Sequence, residues 1–276
     1  MEESADQKPA LKISPKELGS FAMEKCCDRC QWIKSKVPGL PFQIFPGIFS
    51  SIDHYSKNTV RQYFAETGSV PDYIEKAFGK VKRLIDPPHW SKFTAQDPAT
   101  GLQLRGVADE ILELESGGLV ILDYKTAKVT EKQDELLPMY EVQLNSYAFI
   151  AEKTGMGKVV ALGLQYMDPQ VTPEDSKLPE NRTAEGFRMT FRAVVRPIQL
   201  DQALVSRLLR KAHDVLSQEK PPPGAEGCKD CLAVDNLLKA TSGRLSEMVK
   251  PERKKKVRDT GNGSKEKTSE TGGLTL

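Results

Sequence analysis

A chain of 276 residues with 38% hydrophobic side chains can bury one large core or two small ones. No run approaches the roughly 18 consecutive apolar residues of a membrane span, and Met1 to Ala10 lacks the basic-then-apolar order of a secretory signal, so a cytoplasmic protein without a membrane partner is expected. The net charge of +2 gives no global attraction for a polyanion, so nucleic acid would have to be held by local clusters of lysine and arginine.

Ser14-Pro15-Lys16-Glu17 has the order of a helix start: a hydroxyl cap, proline at the first position and glutamate at the third. This predicts a short helix to about Lys25, followed by a cysteine-rich turn with Trp32 and a loop through Pro38, Pro41, Pro46 and Gly47. Apolar residues at three- and four-residue steps predict helices from Ile52 to about Phe64 and from Asp72 to Leu84. Between His89 and Lys128 the period shortens to two. Strands are expected at Trp90 to Gln96, Leu102 to Leu114 and Leu119 to Thr126, with turns at Pro98 to Gly101 and Glu115 to Gly118, forming an antiparallel meander. A helix over Met139 to Lys153 ends at Gly155 and Gly157, and an apolar strand follows over Val159 to Met167. A polar insert from Asp168 to Gly186 separates it from a strand at Phe187 to Arg196. Gln199 to Glu219 then reads as an amphipathic helix stopped by Pro221, and a weaker helix spans Leu232 to Met248. Residues 250–276, with the run Arg253 to Lys256, read as a disordered basic tail, and residues 1–10 as a flexible N-terminus. This leaves one domain over residues 11–249.

The second expected strand carries Asp109 and the third carries Asp123 and Lys125. Residues two apart on a strand share a face, and a four-residue turn can bring Asp109 to the same side. Phosphodiester hydrolysis needs charge neutralised on the phosphate and a water held in line with the leaving oxygen. Two carboxylates, with the backbone carbonyl of Tyr124 as a third oxygen, suit Mg²⁺ or Mn²⁺, and Lys125 can act on the water or on developing negative charge. Asp-x-Lys also occurs at Asp6 and Asp175, in polar sequence without a strand pattern. A charged pair at the end of the apolar run Leu119 to Leu122 is different, because burying it requires compensation.

Gly106-Val-Ala-Asp109, Asp123-Tyr-Lys125 and Gln143-Leu-Asn-Ser-Tyr147, in that order, resemble the signature of the RecB-like branch of the PD-(D/E)XK nucleases. The resemblance implies a restriction-endonuclease-like α/β core, with a mixed central sheet flanked by helices. It also implies that Asp109 and Asp123 bind the metal, that Lys125 acts on the nucleophile, and that Gln143 and Tyr147 orient the site or the strand being cut. The same branch often completes the metal shell from an early helix, where Asp53 and His54 stand. The implied activity is cleavage of DNA, by an exonuclease acting on single strands or free ends. No phosphate-binding loop of helicase type occurs, so unwinding would fall to a helicase or other repair or defence partner. The competing reading is a catalytically silent DNA-binding or scaffold module on the same fold.

Cys26, Cys27, Cys30, Cys228 and Cys231 place a Cys-x-x-Cys near each end of the expected domain, a pattern of metal ligation rather than disulfides in a cytosolic protein. Four thiolates suit zinc or an iron–sulfur cluster equally. Resemblance to the CRISPR-associated exonucleases and the AddB subunit implies a [4Fe–4S] cluster on Cys27, Cys30, Cys228 and Cys231, with Cys26 spare. Those relatives place one cysteine before the core and three after, whereas this chain has three before and two after.

Overall fold

The computed structural model describes residues 11–37, 39, 46–129 and 135–249. Strand β1 (Lys12–Ile13) leads into helix α1 (Pro15–Ser20), then come α2 (Asp28–Lys36), α3 (Gly47–Thr67) and α4 (Asp72–Phe78). Strands β2 (Val81–Ile85), β3 (Thr94–Gln96), β4 (Gln103–Arg105), β5 (Glu110–Leu114) and β6 (Leu119–Thr126) follow, then helix α5 (Leu137–Lys153) and strand β7 (Val159–Pro169). The chain continues through the small hairpin β8 (Arg182–Thr183) and β9 (Gly186–Phe187), strand β10 (Phe191–Ile198), and helices α6 (Gln202–Leu216) and α7 (Lys229–Thr241). It divides into two compact units, Met1–Cys228 and Lys229–Leu276.

In the first unit, five strands form the central sheet in the order β10-β7-β6-β5-β2. Only β6 and β7 pair in parallel, across the α5 crossover, and every other neighbour is antiparallel. The sheet is therefore mixed, with the antiparallel run β2-β5-β6 on one side, as the α/β reading expected. A smaller sheet, β1-β4-β3, lies beyond α5. Residues Val142 to Ala151 of α5 are all buried, because the helix sits between the two sheets and against α1 and α6. Its buried Asn145 is paired, whereas the Ser146 hydroxyl has no partner among the described residues. Asn145 donates to the Gln199 carbonyl at 3.0 Å and accepts from the Asp201 N–H at 2.6 Å, while Asp201 caps α6. Ser14 and Glu17 make the expected capping box on α1.

Several boundaries differ from the sequence reading. Helix α1 ends at Ser20, and the cysteine-rich segment folds as helix α2, which carries Cys30 and Trp32. The helix expected to Leu84 stops at Phe78, where Gly79 takes φ +91°, and Val81–Ile85 pairs with β5 as a strand. Leu102 to Leu114 is two strands in different sheets, broken at Gly106 to Asp109, so β2 and not Thr94–Gln96 completes the antiparallel run. The insert after β7 runs further than expected at its far end, with β10 beginning at Phe191. The N-terminal segment 1–10, most of the loop around Pro38 to Phe45, and the tail 250–276 lie outside the described residues.

In the second unit, α7 is followed by a 3-10 turn at Leu245–Glu247. The Asn236 side chain donates to the Val249 carbonyl at 2.7 Å and accepts from its N–H at 2.9 Å. Among the described residues no helix is long and apolar enough to cross a membrane.

Candidate active site and cysteine centre

Strand β6 alternates its side chains between two cores. Leu119 and Ile121 face the core around α5, whereas Val120, Leu122 and Tyr124 face the one formed with α3 and α4. Asp123 and Lys125 continue the first series and so meet Gln143 and Tyr147, which stand one turn apart on α5. Strand β5 begins with Glu110 opposite Leu122, so β6 overhangs its partner from Asp123 onward. Asp109, one residue before β5, lies beside that overhang. Its Oδ2 accepts from the Tyr124 N–H at 3.0 Å, a donor that a longer β5 would have taken. A residue's N–H and C=O leave a strand on the same side, so the Tyr124 carbonyl also faces Asp109.

Asp123 is 2% exposed. Its Oδ1 accepts from Gln143 Nε2 at 2.9 Å. Its Oδ2 pairs with the Lys125 ammonium, yet no aligned hydrogen bond reaches that buried oxygen, which leaves lone pairs for a cation. Burial pushes the Asp123 carboxyl up to about 7, against the pull of Lys125, and the like charge of Asp109 adds to the rise. Gln143 ties the group together: Nε2 also donates to Tyr147 Oη at 3.1 Å, and Oε1 accepts from Lys125 Nζ at 3.4 Å. Lys125 Nζ lies 4.5 Å from the centre of the Tyr140 ring. Burial raises the Tyr147 phenol well above its ordinary value, so it stays protonated. Gly106 makes room for this ring, since a Cβ there would stand 3.0 Å from Tyr147 Cε1 and 3.0 Å from Pro15 Cδ.

Helix α3 approaches from the other face of the sheet. Lys57 Nζ contacts Asp53 Oδ2 at 2.9 Å and Asp109 Oδ1 at 2.8 Å. His54 stays outside this set: it is exposed, with Nδ1 bound to the Ser50 carbonyl at 2.7 Å. One turn beyond Lys57, Arg61 grips the fully buried Glu110 through Nε at 3.1 Å and Nη2 at 2.8 Å, and Asp86 through Nη1 at 2.6 Å. Burial pushes the Glu110 carboxyl up, and Arg61 opposes it. Sequence reasoning singled out neither Lys57 nor Arg61 nor Glu110. The available signal was the four-residue spacing of Asp53, Lys57 and Arg61, which puts them on one helix face. A cleft of about 370 Å³ opens here, lined by Phe49, Ser50, Asp53, Tyr124, Lys125 and Thr126. Oxygen donors at an open cleft are the donor set of a hard divalent cation.

The cysteines gather elsewhere. Cys27 precedes α2 and Cys30 lies in its first turn. Cys30 Sγ is 3.6 Å from Cys228 Sγ, and the Ala225 N–H donates to Cys27 Sγ at 3.3 Å. Cys27, Cys30 and Cys228 form a set within the first unit whose sulfurs all lie within 4.8 Å of one another, and Cys231 follows Cys228 by three residues in sequence. None of the five cysteines forms a disulfide, and Cys26 stands outside the set.

No curated protein matches the chain. A solved structure titled "Crystal structure of SSO0001" is similar at 14% identity and a TM-score of 0.37, over 78% of this chain and 80% of that one. The family model described as the PD-(D/E)XK nuclease superfamily matches residues 50–235, a span that includes most of α3 together with Asp109, Asp123, Lys125, Gln143 and Tyr147. The chain therefore belongs to the PD-(D/E)XK nuclease superfamily.

Proposed function

We propose that this protein is a Mg²⁺- or Mn²⁺-dependent nuclease that hydrolyses phosphodiester bonds in DNA, as an exonuclease acting on single strands or free ends. One observation carries the reading: Asp109, Asp123, Lys125 and Gln143 are drawn together where β6 overhangs β5, beside an open cleft. Asp109, Asp123 and the Tyr124 carbonyl would hold the divalent ion. When bound, the ion neutralises charge on the scissile phosphate and lowers the pKa of an attacking water. Lys125, paired with Asp123, offsets the negative charge that builds on the phosphate as the water oxygen bonds to phosphorus and the ester oxygen leaves. Gln143 fixes the rotamers of both groups, and Tyr147 in turn holds Gln143.

The test is cleavage of end-labelled single- and double-stranded DNA and RNA with Mg²⁺, Mn²⁺ or chelator. Metal-dependent loss of DNA, abolished in Asp123→Ala, is the expected result. DNA binding by wild-type protein without any cleavage would favour the silent-module reading instead.

The cysteine set is proposed as a structural metal centre that ties α2 to the end of the first unit at Cys228. The resemblance argues for a [4Fe–4S] cluster. The 3.6 Å separation of Cys30 and Cys228 favours a second occupant, a single zinc ion, whose four sulfurs at metal bonds of about 2.3 Å stand close together, whereas a cluster of four irons spreads them apart. A brown protein with visible absorbance supports the cluster, and stoichiometric zinc in a colourless one removes it. Five unbridged cysteines suit a reducing compartment, in keeping with a cytoplasmic location, and any helicase partner would supply unwinding.

A further inference from the structure

Lys57 stands in an unusual place. Its ammonium is held at 2.9 Å by Asp53 and at 2.8 Å by Asp109, and its side chain is only 27% exposed. An Asp–Lys pair one turn apart on a helix is a common surface feature. Asp109 is not local, however: it lies 52 residues away in sequence, and its other oxygen is already fixed by the Tyr124 N–H. The gap between Asp53 and Asp109 is where an oxygen-liganded divalent ion touching both carboxylates would lie, with bonds of about 2.0–2.2 Å for Mg²⁺ or Mn²⁺. An ammonium and a divalent ion cannot share it.

Charge points the same way. Asp53, Asp109 and Asp123 face two ammoniums, Lys57 and Lys125, which leaves one net negative charge in the contact set. That net negative charge attracts a divalent ion, which brings the set to zero net charge when it takes the place of Lys57.

We propose that Lys57 is the resident counter-ion of the metal site: it keeps Asp53 and Asp109 together in the metal-free protein and is displaced when the divalent ion enters, so that it sets the metal affinity. The proposal rests on Asp109 being a metal ligand, as read above. Removing the ammonium takes away a competitor and leaves two carboxylates facing each other, and both effects tighten metal binding.

The experiment measures Mn²⁺ binding to the full-length protein without DNA, from the free-ion electron paramagnetic resonance signal, for wild type, Lys57→Met, Lys57→Gln, Lys57→Arg and Asp109→Asn. Circular dichroism checks each fold, and Lys57→Gln serves if Lys57→Met does not fold. The expected result is Mn²⁺ bound about tenfold more tightly by Lys57→Met or Lys57→Gln, with Lys57→Arg near wild type. Equal or weaker binding by the folded neutral variants overturns the proposal, because a residue that only supports the structure would not tighten metal binding when lost. If wild type and Asp109→Asn bind Mn²⁺ alike, the metal-site reading itself falls, whatever Lys57 does.

Discussion

The carboxylate site and the cysteine centre are built on opposite plans. The first collects oxygens from α3, the residue before β5 and the overhang of β6 beside a cleft open to solvent, with Asp123 buried. The second closes the sulfurs of Cys27 and Cys30, at the start of α2, on that of Cys228, with Cys27 and Cys30 buried. Hard oxygen donors with room for water and phosphate suit a metal that works on a substrate, whereas a closed set of soft thiolates suits one that holds chain together. The two sites should therefore fail in different ways when damaged.

The largest effect is expected at Asp123. Asp123→Ala should lower cleavage by roughly a thousandfold or more while leaving the circular dichroism spectrum and the cysteine-bound metal unchanged. A variant that cut DNA as fast as wild type would remove the carboxylate site from catalysis. The converse holds for Cys228→Ala. It should lower the free energy of unfolding in denaturant by about 3 kcal/mol and release the cysteine-bound metal, while Mn²⁺ binding by the folded fraction stays at the wild-type level. Equal stability with metal retained would show that Cys228 is no ligand.

Gln143→Ala probes the support of the first site. It removes the donor that holds Asp123 Oδ1 and the acceptor of Lys125, and should cost about 10–100-fold in activity. A larger part should fall on kcat than on KM, as expected for misplaced reacting groups. The smallest effect is the pH dependence of Mn²⁺ binding. The ion needs ionised Asp123, whose carboxyl is raised to about 7, so protons compete with the metal as the pH falls. Affinity should be level well above that value and fall by about tenfold per unit well below it. A flat profile through mildly acidic pH would show that Asp123 is not what the metal displaces a proton from.

Much of the carboxylate site was legible because its signals are local. The period of two along Leu119 to Lys125 assigns Asp123 and Lys125 to one face of β6, and the four-residue step from Gln143 to Tyr147 gives one face of α5. Gly106 read as a motif letter, and the fold supplied its reason, the ring of Tyr147, which would stand only 3.0 Å from a Cβ there. Val81 to Ile85 misled because its apolar residues fit a helical step as well as a strand, and only pairing with β5 decides between them. Leu102 to Leu114 misled for a related reason. Its continuous apolar pattern conceals a crossing from one sheet to another, which is settled by what each half packs against.

From sequence alone came the element types along β5, β6 and α5, the residues that share each face, and the pairing of two cysteine motifs into one expected metal centre. These follow from backbone periodicity and from the chemistry of side chains, both of which act over a few residues. Tertiary structure alone decided that Lys57 reaches Asp109, that Arg61 neutralises the buried Glu110, and that Cys30 meets Cys228 across 198 residues of chain. Such partners are selected by where helices and strands pack, and the free energy of that packing is summed over the whole core and not written in any one segment.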